Sequence, residues 1–256
     1  MPGNAPAATR ALEALRVLAA APGPVTAAAL GRQLGIPRSS TYHLLAAMAG
    51  AGFVTHYPEE GRWGLGVGAF EIGAAYLRHE PLERLGRPLL HRLAHDVAAR
   101  AAVVAHLGVL HGRETLYLLR ESPQAPLTVV VDVGVRLPAT LTASGRAMLA
   151  ELPAAQLRAL FPSKETFVDR TGAGPTSLTA LTRLLASERA QGWAEEDGFV
   201  VPGFASVAAA AVDRSGRPVA SIGLTFRSER VDEATRVDLA RATRRTAREL
   251  SRRLGA

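Results

Sequence analysis

Residues 26 to 54 read TAAALGRQLGIPRSSTYHLLAAMAGAGFV, and no other stretch of the chain restricts the fold so tightly. Thr26 suits a helix N-cap, because its hydroxyl oxygen can accept an amide hydrogen that the first turn leaves unpaired. Gly35 suits the left-handed residue that closes AAALGRQL. Pro37 can open the next helix, since the N–H it lacks is one the first turn does not use. The spacing predicts a short helix, a tight turn and a second helix running to about Gly50 or Gly52. Upstream, TRALEALRVLAA sets Leu12, Leu15, Val17 and Leu18 at helical spacing before APGPV breaks the pattern. Downstream, Phe53, Val54 and Tyr57 read as a strand, PEEG as a turn and RWGLG as the return strand. Three helices followed by a hairpin make a winged helix-turn-helix unit.

In the second helix of the pair, Thr41, Leu44, Leu45 and Met48 share a face, and Arg38, Ser39, Ser40, Tyr42 and His43 lie on or near the other. A helix that enters the major groove needs this division, with hydrogen-bonding groups outward and apolar groups toward its own domain. Thr26 is placed to meet a phosphate at the start of the preceding helix, and Arg62 in the wing to reach the adjacent backbone or minor groove. Taken alone, the segment also fits a solvated amphipathic helix in a small helical subdomain. The net charge of +7 favours a polyanionic partner without requiring one. Before the wing, Arg10, Arg16, Arg32 and Arg38 stand against Glu13, a modest excess for one copy. Two copies on one duplex roughly double the phosphate contacts, so a dimer on double-stranded DNA is expected.

A chain of 256 residues has room for a second domain. VGAFEIGAAYLRHE reads as a connecting helix and LERLGRPLLHRLAHDVAAR as another. Strands are expected over AAVVAHLGVL, ETLYLLRES and LTVVVDVGV, and helices over TASGRAMLAEL, PAAQLRALF and SLTALTRLLASERAQG. FASVAAAAVD and VASIGLTFR flank the turn RSGR, and a basic amphipathic helix runs from Asp232 to Leu254. This order predicts an α+β domain with helices on the faces of a sheet. The absence of cysteine excludes disulfides, thiol catalysis and cysteine-ligated metals. No run approaches the about 18 apolar residues of a membrane span, and MPGNAPAATR lacks the pattern of a secretory leader, so a cytoplasmic protein is expected. His91 and His95 stand one helical turn apart, a spacing that can chelate a metal, with His106 or His111 as a conceivable third ligand. A packed or solvated helix face explains the pair without a metal. The terminal helix, with seven arginines from Arg236 to Arg253, reads as a solvated face or an oligomer contact, or as a DNA contact.

Five segments in this order resemble an IclR-type transcriptional regulator over almost the whole chain: RALEALRVLAA, TAAALGRQLGIPRSSTYHLLAAMAGAGFV, GRWGLGVGAFEIG, VGVRLPATLTASGRAMLAELP and ERAQGWAEEDGFVVPGFASVAAAAVDRSGRPVASIGLTF. The resemblance implies a winged helix-turn-helix DNA-binding domain over 1–66, a linker helix over 67–80 and a GAF-like effector-binding domain with an antiparallel sheet over 81–256. It implies a dimer or tetramer on a palindromic operator, more often a repressor than an activator, answering to a small carboxylate or aromatic compound and needing no cofactor. Coupling between the domains is expected to pass through the linker around Phe70 to Leu77.

The chain departs from the family at several positions. Tyr42 and His43 stand where a histidine and an arginine are common, and Ser206 stands where many members carry a cysteine. Glu196 and Asp197 match the family's acidic pair, and Gly223 and Thr225 its late pair of serines. The effector-site candidates are therefore Ala143, Ser144, Gly145, Glu196, Asp197, Ser206 and Thr225, with Phe204 as an apolar wall. Ala143, Ser144 and Gly145 begin a helix, and its free amides suit a carboxylate; plain capping by Ser144 is the other reading. A buried Glu196 requires a backbone or arginine partner or a donor-bearing ligand. An enzyme with a helical docking module is a rival reading. It lacks a glycine-rich phosphate loop and a serine elbow, and Asp213 and Glu196 as acid and base have no nucleophile between them. A DNA-architectural protein without an effector is a third.

Overall fold

The structure is a computed structural model that describes residues 5–79, 81–123 and 132–256. The chain separates into two compact units, Met1–Glu80 and Pro81–Ala256. The first begins with α1 (Pro6–Ala20), β1 (Val25–Thr26), α2 (Ala27–Leu34) and α3 (Arg38–Gly50). A hairpin of β2 (Val54–Tyr57) and β3 (Arg62–Leu65) follows, then α4 (Val67–His79). Val25 and Thr26 pair with Trp63 and Arg62, so β1 adds a third strand to the wing that the APGPV break concealed.

Sequence chemistry sets the helix-turn-helix geometry. Thr26 caps α2 by accepting the amide of Ala29 at 3.2 Å, and Gly35 ends it at φ 63°. Pro37 is the N-cap of α3, one position earlier than the first-turn place its chemistry also suits. The two helices touch at Gly31, where any Cβ would meet Thr41 Oγ1 at 2.7 Å. Thr41, Leu45 and Met48 turn inward, and the two apolar ones join Ala14, Leu18, Leu30, Val54 and Trp63 in one core.

The second unit opens with α5 (Pro81–Val97), β4 (Val104–His111), β5 (Glu114–Glu121) and β6 (Arg136–Pro138). Three helices follow, α6 (Ala143–Leu149), α7 (Ala154–Leu160) and α8 (Leu178–Gln191). Strands β7 (Ala194–Asp197), β8 (Phe204–Val212) and β9 (Pro218–Arg227) precede α9 (Glu233–Arg253). The strand expected over LTVVVDVGV lies, for residues 127–131, outside the described residues. Strands β6 and β7 were not legible as strands; both are short, and AEED shows no apolar alternation. The sheet order is β6-β5-β4-β9-β8-β7, antiparallel throughout.

Side chains of a strand alternate between faces. Ala205, Val207, Ala209, Ile222, Leu224 and Phe226 pack with Leu93 and Val97 of α5 and Leu239 and Leu250 of α9. The alternate residues of β8 and β9 face α6, where Ala208 meets Ala143 and Ala147. α7 and α8 complete a separate core with Leu149, Leu157, Phe161, Leu181 and Leu185.

Candidate functional site

On α3, Arg38, Ser39, Ser40, Tyr42 and His43 are all exposed, while Thr41 and Leu45 are wholly buried. The Arg38 guanidinium lies 5.8 Å from the centre of the Tyr42 ring, a cation–π contact that orients it without consuming its N–H donors. Thr26 is exposed at the start of α2, and accepting the Ala29 amide leaves its hydroxyl hydrogen free to donate. Arg62 is exposed on β3 but partly committed: Nη1 donates to the Pro24 carbonyl at 3.0 Å, and Glu60 lies 4.0 Å away.

In the second unit, strand register builds a buried polar chain under α6. Glu196 stands opposite Ser206, Ser206 opposite Thr225, and Gly223 opposite His106. Ser206 Oγ donates to Glu196 Oε1 at 2.8 Å and lies 2.9 Å from Thr225 Oγ1. Thr225 Oγ1 lies 3.0 Å from His106 Nε2, and His106 Nδ1 lies 3.4 Å from Ser144 Oγ. The Tyr117 hydroxyl lies within hydrogen-bonding reach of Ser144 and Thr142, and its ring meets His106 edge-on at 5.1 Å. Glu196 Oε2 accepts the Phe199 amide at 3.0 Å, which supplies the backbone partner its burial requires.

Six candidates come together here: Ala143, Ser144, Gly145, Glu196, Ser206 and Thr225, all buried. Two do not join them. Asp197 follows Glu196 on β7 and therefore points to the opposite face, where it accepts from Arg236 Nη1 at 2.8 Å and Ser228 Oγ at 2.7 Å. Phe204 shares the face of Ser206 but sits at its half-exposed end, with the Arg227 guanidinium 5.0 Å from its ring centre. The capping role belongs to Thr142, which takes the Gly145 amide at 3.0 Å, and not to Ser144. With seven residues, α6 is a weak source of dipole for an anion.

His106, which the sequence offers only as a third metal ligand, belongs to this region, as do Tyr117 and Arg146, which carry no sequence signal of a site. His106 is the buried polar residue of an otherwise apolar strand, His111 lying exposed at its end. Its ring fills the space over Gly223, where a Cβ would come within 2.2 Å of Cε1, so the glycine is a steric requirement. Burial lowers its pKa to about 3 and keeps it neutral. Burial also raises Tyr117 and brings Glu196 up to about 7, against the opposing pull of Ser206, Phe199 and Arg146. Arg146 is fully buried: Nε donates to Glu188 Oε1 at 2.9 Å, Nη1 to the Thr140 carbonyl at 3.1 Å and Nη2 to the Glu195 carbonyl. It ties α6, α8 and β7 together. Desolvation raises the Glu188 carboxyl despite that partner.

The remaining candidates lie away from this face. The His91 and His95 rings lie tilted against each other with centres 4.1 Å apart, and His91 faces Glu121 at 3.8 Å. His106 is engaged with Thr225 and Ser144, and among the described residues no three His, Cys, Asp or Glu side chains converge as metal ligands. Asp213 Oδ1 accepts from Ser215 N, Ser215 Oγ and Arg217 N, which makes it the organiser of the β8–β9 turn. No helix among the described residues is long and apolar enough to cross a membrane.

Two family models match: the IclR helix-turn-helix domain over residues 7–58 and the bacterial transcriptional regulator IclR C-terminal domain over 74–252. The glycerol operon regulatory protein of Streptomyces coelicolor is 31% identical over 100% of this chain and 99% of its own. The HTH-type transcriptional repressor AllR of Klebsiella pneumoniae is 28% identical over 98% of this chain and 91% of its own. A crystal structure of an IclR homolog complexed with 4-hydroxybenzoate, from Microbacterium hydrocarbonoxydans, has the same fold: TM-score 0.80, 21% identity, 97% of this chain and 98% of that one. A DNA-reading helix pair, an effector domain with a polar face beneath α6 and matches spanning both units lead to one conclusion: this chain belongs to the IclR family of transcriptional regulators.

Proposed function

We propose that this regulator is a repressor that binds a palindromic operator as a homodimer or homotetramer, and that a small organic effector on the α6 face of the sheet alters that binding. The observation that carries the DNA reading is the split of α3, with five polar side chains exposed over a buried Thr41, Leu45 and Met48. Arg38, Ser39, Ser40, Tyr42 and His43 then meet bases and phosphates, and Thr26 and Arg62 the flanking backbone. The first unit also exposes Leu12, Leu65, Val67, Phe70 at 73% and Ile72 at 59%. A second copy that covers some of these side chains gives the paired heads that a palindrome needs.

Ser144, Glu196, Ser206, Thr225 and His106 offer donors and acceptors to a carboxylate or phenolic effector, and 4-hydroxybenzoate in the homologous structure is of that class. Response requires only that the effector bind one arrangement of the heads better than another, by about 1–3 kcal/mol of coupling. The α4 linker, Val67–His79, is the covalent route. The test is an anisotropy titration of the chain's own promoter DNA at low salt, beside a thermal-shift screen of carboxylates, phenolics and amides. Arg38→Ala abolishes operator binding and leaves the thermal response to the effector intact. Unchanged operator affinity in that variant overturns the reading.

A further inference from the structure

We infer that His106 sets the hydrogen-bond polarity of the effector site, its tautomer being dictated by Glu196 through the hydroxyls of Ser206 and Thr225. The inference rests on reading the α6 face as the effector site. Its basis is an unbroken run of contacts: Glu196 Oε1 to Ser206 Oγ at 2.8 Å, Ser206 to Thr225 at 2.9 Å, Thr225 to His106 Nε2 at 3.0 Å, and His106 Nδ1 to Ser144 at 3.4 Å. All five residues are buried, and a buried polar group left without a partner is costly.

Each hydroxyl has one hydrogen to give. An ionised Glu196 only accepts, so Ser206 donates to it, Thr225 donates to Ser206, and His106 carries its proton on Nε2. Nδ1 is then an acceptor and engages the Ser144 hydrogen. A protonated Glu196 reverses every bond. The Phe199 amide occupies Oε2 at 3.0 Å, so the acid proton sits on Oε1 and points at Ser206. Ser206 then donates to Thr225, Thr225 to Nε2, and the ring proton resides on Nδ1.

The change balances as a relay. Nδ1 takes up one proton from the Ser144 side. The Nε2 proton passes to Thr225 Oγ1, the Thr225 proton to Ser206 Oγ, and the Ser206 proton to Glu196 Oε1. Ser144 regains its own hydrogen from solvent, so the net event is uptake of one proton. Its hydroxyl hydrogen is then released from Nδ1, to be given to the Tyr117 oxygen or to an effector. An effector that presents a carboxylate or carbonyl oxygen to Ser144 therefore binds together with one proton. The bond it must displace, between Ser144 and Nδ1, is the longest of the run.

The groups around Glu196 allow the transition near neutrality. Arg146 of α6 and Asp197 of its own strand are the charged ones, and Tyr117 of β5 and His106 of β4 are the neutral titratable ones. Burial outweighs the Arg146 attraction and leaves Glu196 at about 7.

The experiment reads the tautomer by nitrogen-15 NMR of the full-length, histidine-labelled protein without effector or DNA. His106 is recognised by a ring that stays neutral at pH 5. At pH 8 the wild type shows the proton on Nε2. In Glu196→Gln the amide oxygen must serve the Phe199 N–H, the NH₂ faces Ser206, and the proton moves to Nδ1. Titrating the wild type from pH 8 to pH 6 gives the same change and needs no variant. One tautomer in both proteins and at both pH values overturns the inference. So does a change that persists in a Thr225→Val background, where the relay is cut. Because neither effector nor operator is present, failure here leaves the regulator reading standing, and failure of operator binding leaves the tautomer result standing.

Discussion

Strand β9 carries two chemistries on its two faces. Ala220, Ile222, Leu224 and Phe226 enter the apolar layer beneath α5 and α9, with the Arg236 guanidinium over the Phe226 ring at its edge. Ser221, Gly223 and Thr225 face the other way, toward α6, His106 and Ser206. Both faces are dry. The first needs no partners, because removing apolar surface from water is favourable by itself. The second buries His106, Ser144, Glu196, Ser206, Thr225, Arg146 and Glu188, and each is tolerable only while hydrogen-bonded. A well-packed apolar layer serves stability at least as well as a buried ion pair. The polar face thus does something that holding the sheet together does not require. On the reading proposed above, that is the recognition of a polar ligand.

The comparison is broken most severely by damaging each face in turn. Phe226→Ala removes a wholly buried ring, and Arg146→Met strands Glu188 without its cation. Both lose about 3–5 kcal/mol of stability in urea melts. They part on rescue. Adding Glu188→Leu to Arg146→Met restores most of the loss, because the stranded charge is gone, whereas no second polar-to-apolar change refills the Phe226 cavity. If the double variant is no more stable than Arg146→Met, the pair is a packing element and the two faces differ less than their chemistry suggests.

A smaller effect sharpens the contrast through pH. Glu196 is raised from 4.5 to about 7, so the stability it contributes is full below pH 4.5 and is lost as pH rises to about 7. His106 is lowered from 6.5 to about 3, so its contribution grows as pH rises from about 3 to 6.5. Between pH 4.5 and 6.5 the two slopes oppose and cancel in the wild type. Glu196→Gln removes only the first. Relative to the wild type, its stability rises by about 1 kcal/mol per pH unit over that window, read from urea midpoints at four pH values. A parallel pair of profiles shows that Glu196 does not change its protonation on folding, and it removes the physical link between this face and pH.

How much of this was legible follows from what sequence can encode locally. The α3 faces were readable because helical spacing and the Gly35–Ile36–Pro37 punctuation act within a few residues. The β8–β9 hairpin was readable for the same reason. Its neighbour β7 was missed because its four residues split two and two: Ala194 and Glu196 go inward, Glu195 and Asp197 outward. That split also explains why pairing Asp197 with Glu196 in one site failed; adjacency in a strand means opposite faces. Arg146 carries no local mark of burial, and only its partner Glu188, 42 positions later, makes it a buried ion pair. His106 became meaningful through register with Gly223, 117 residues on, where the missing side chain makes room for the ring. Contacts at such separations leave no periodic trace.

The gentlest perturbation discriminates best between a polar face that works and one that is merely tolerated. Thr225→Val keeps the branched shape, the strand preference and nearly the volume, so β9 and its apolar side are untouched. What disappears is one hydroxyl bonded to both Ser206 and His106. The stability loss is about 1 kcal/mol, the net worth of the bonds less the relief of burying an apolar group. Operator affinity without effector stays at the wild-type value in anisotropy titrations, because α3 and the wing belong to the other unit. The thermal shift on adding an effector from the screen falls, because Ser144 and His106 no longer answer to Glu196. A variant that loses the stability but keeps the full effector response shows that Thr225 is only a spacer, and confines the functional part of this face to Ser144 and its neighbours on α6.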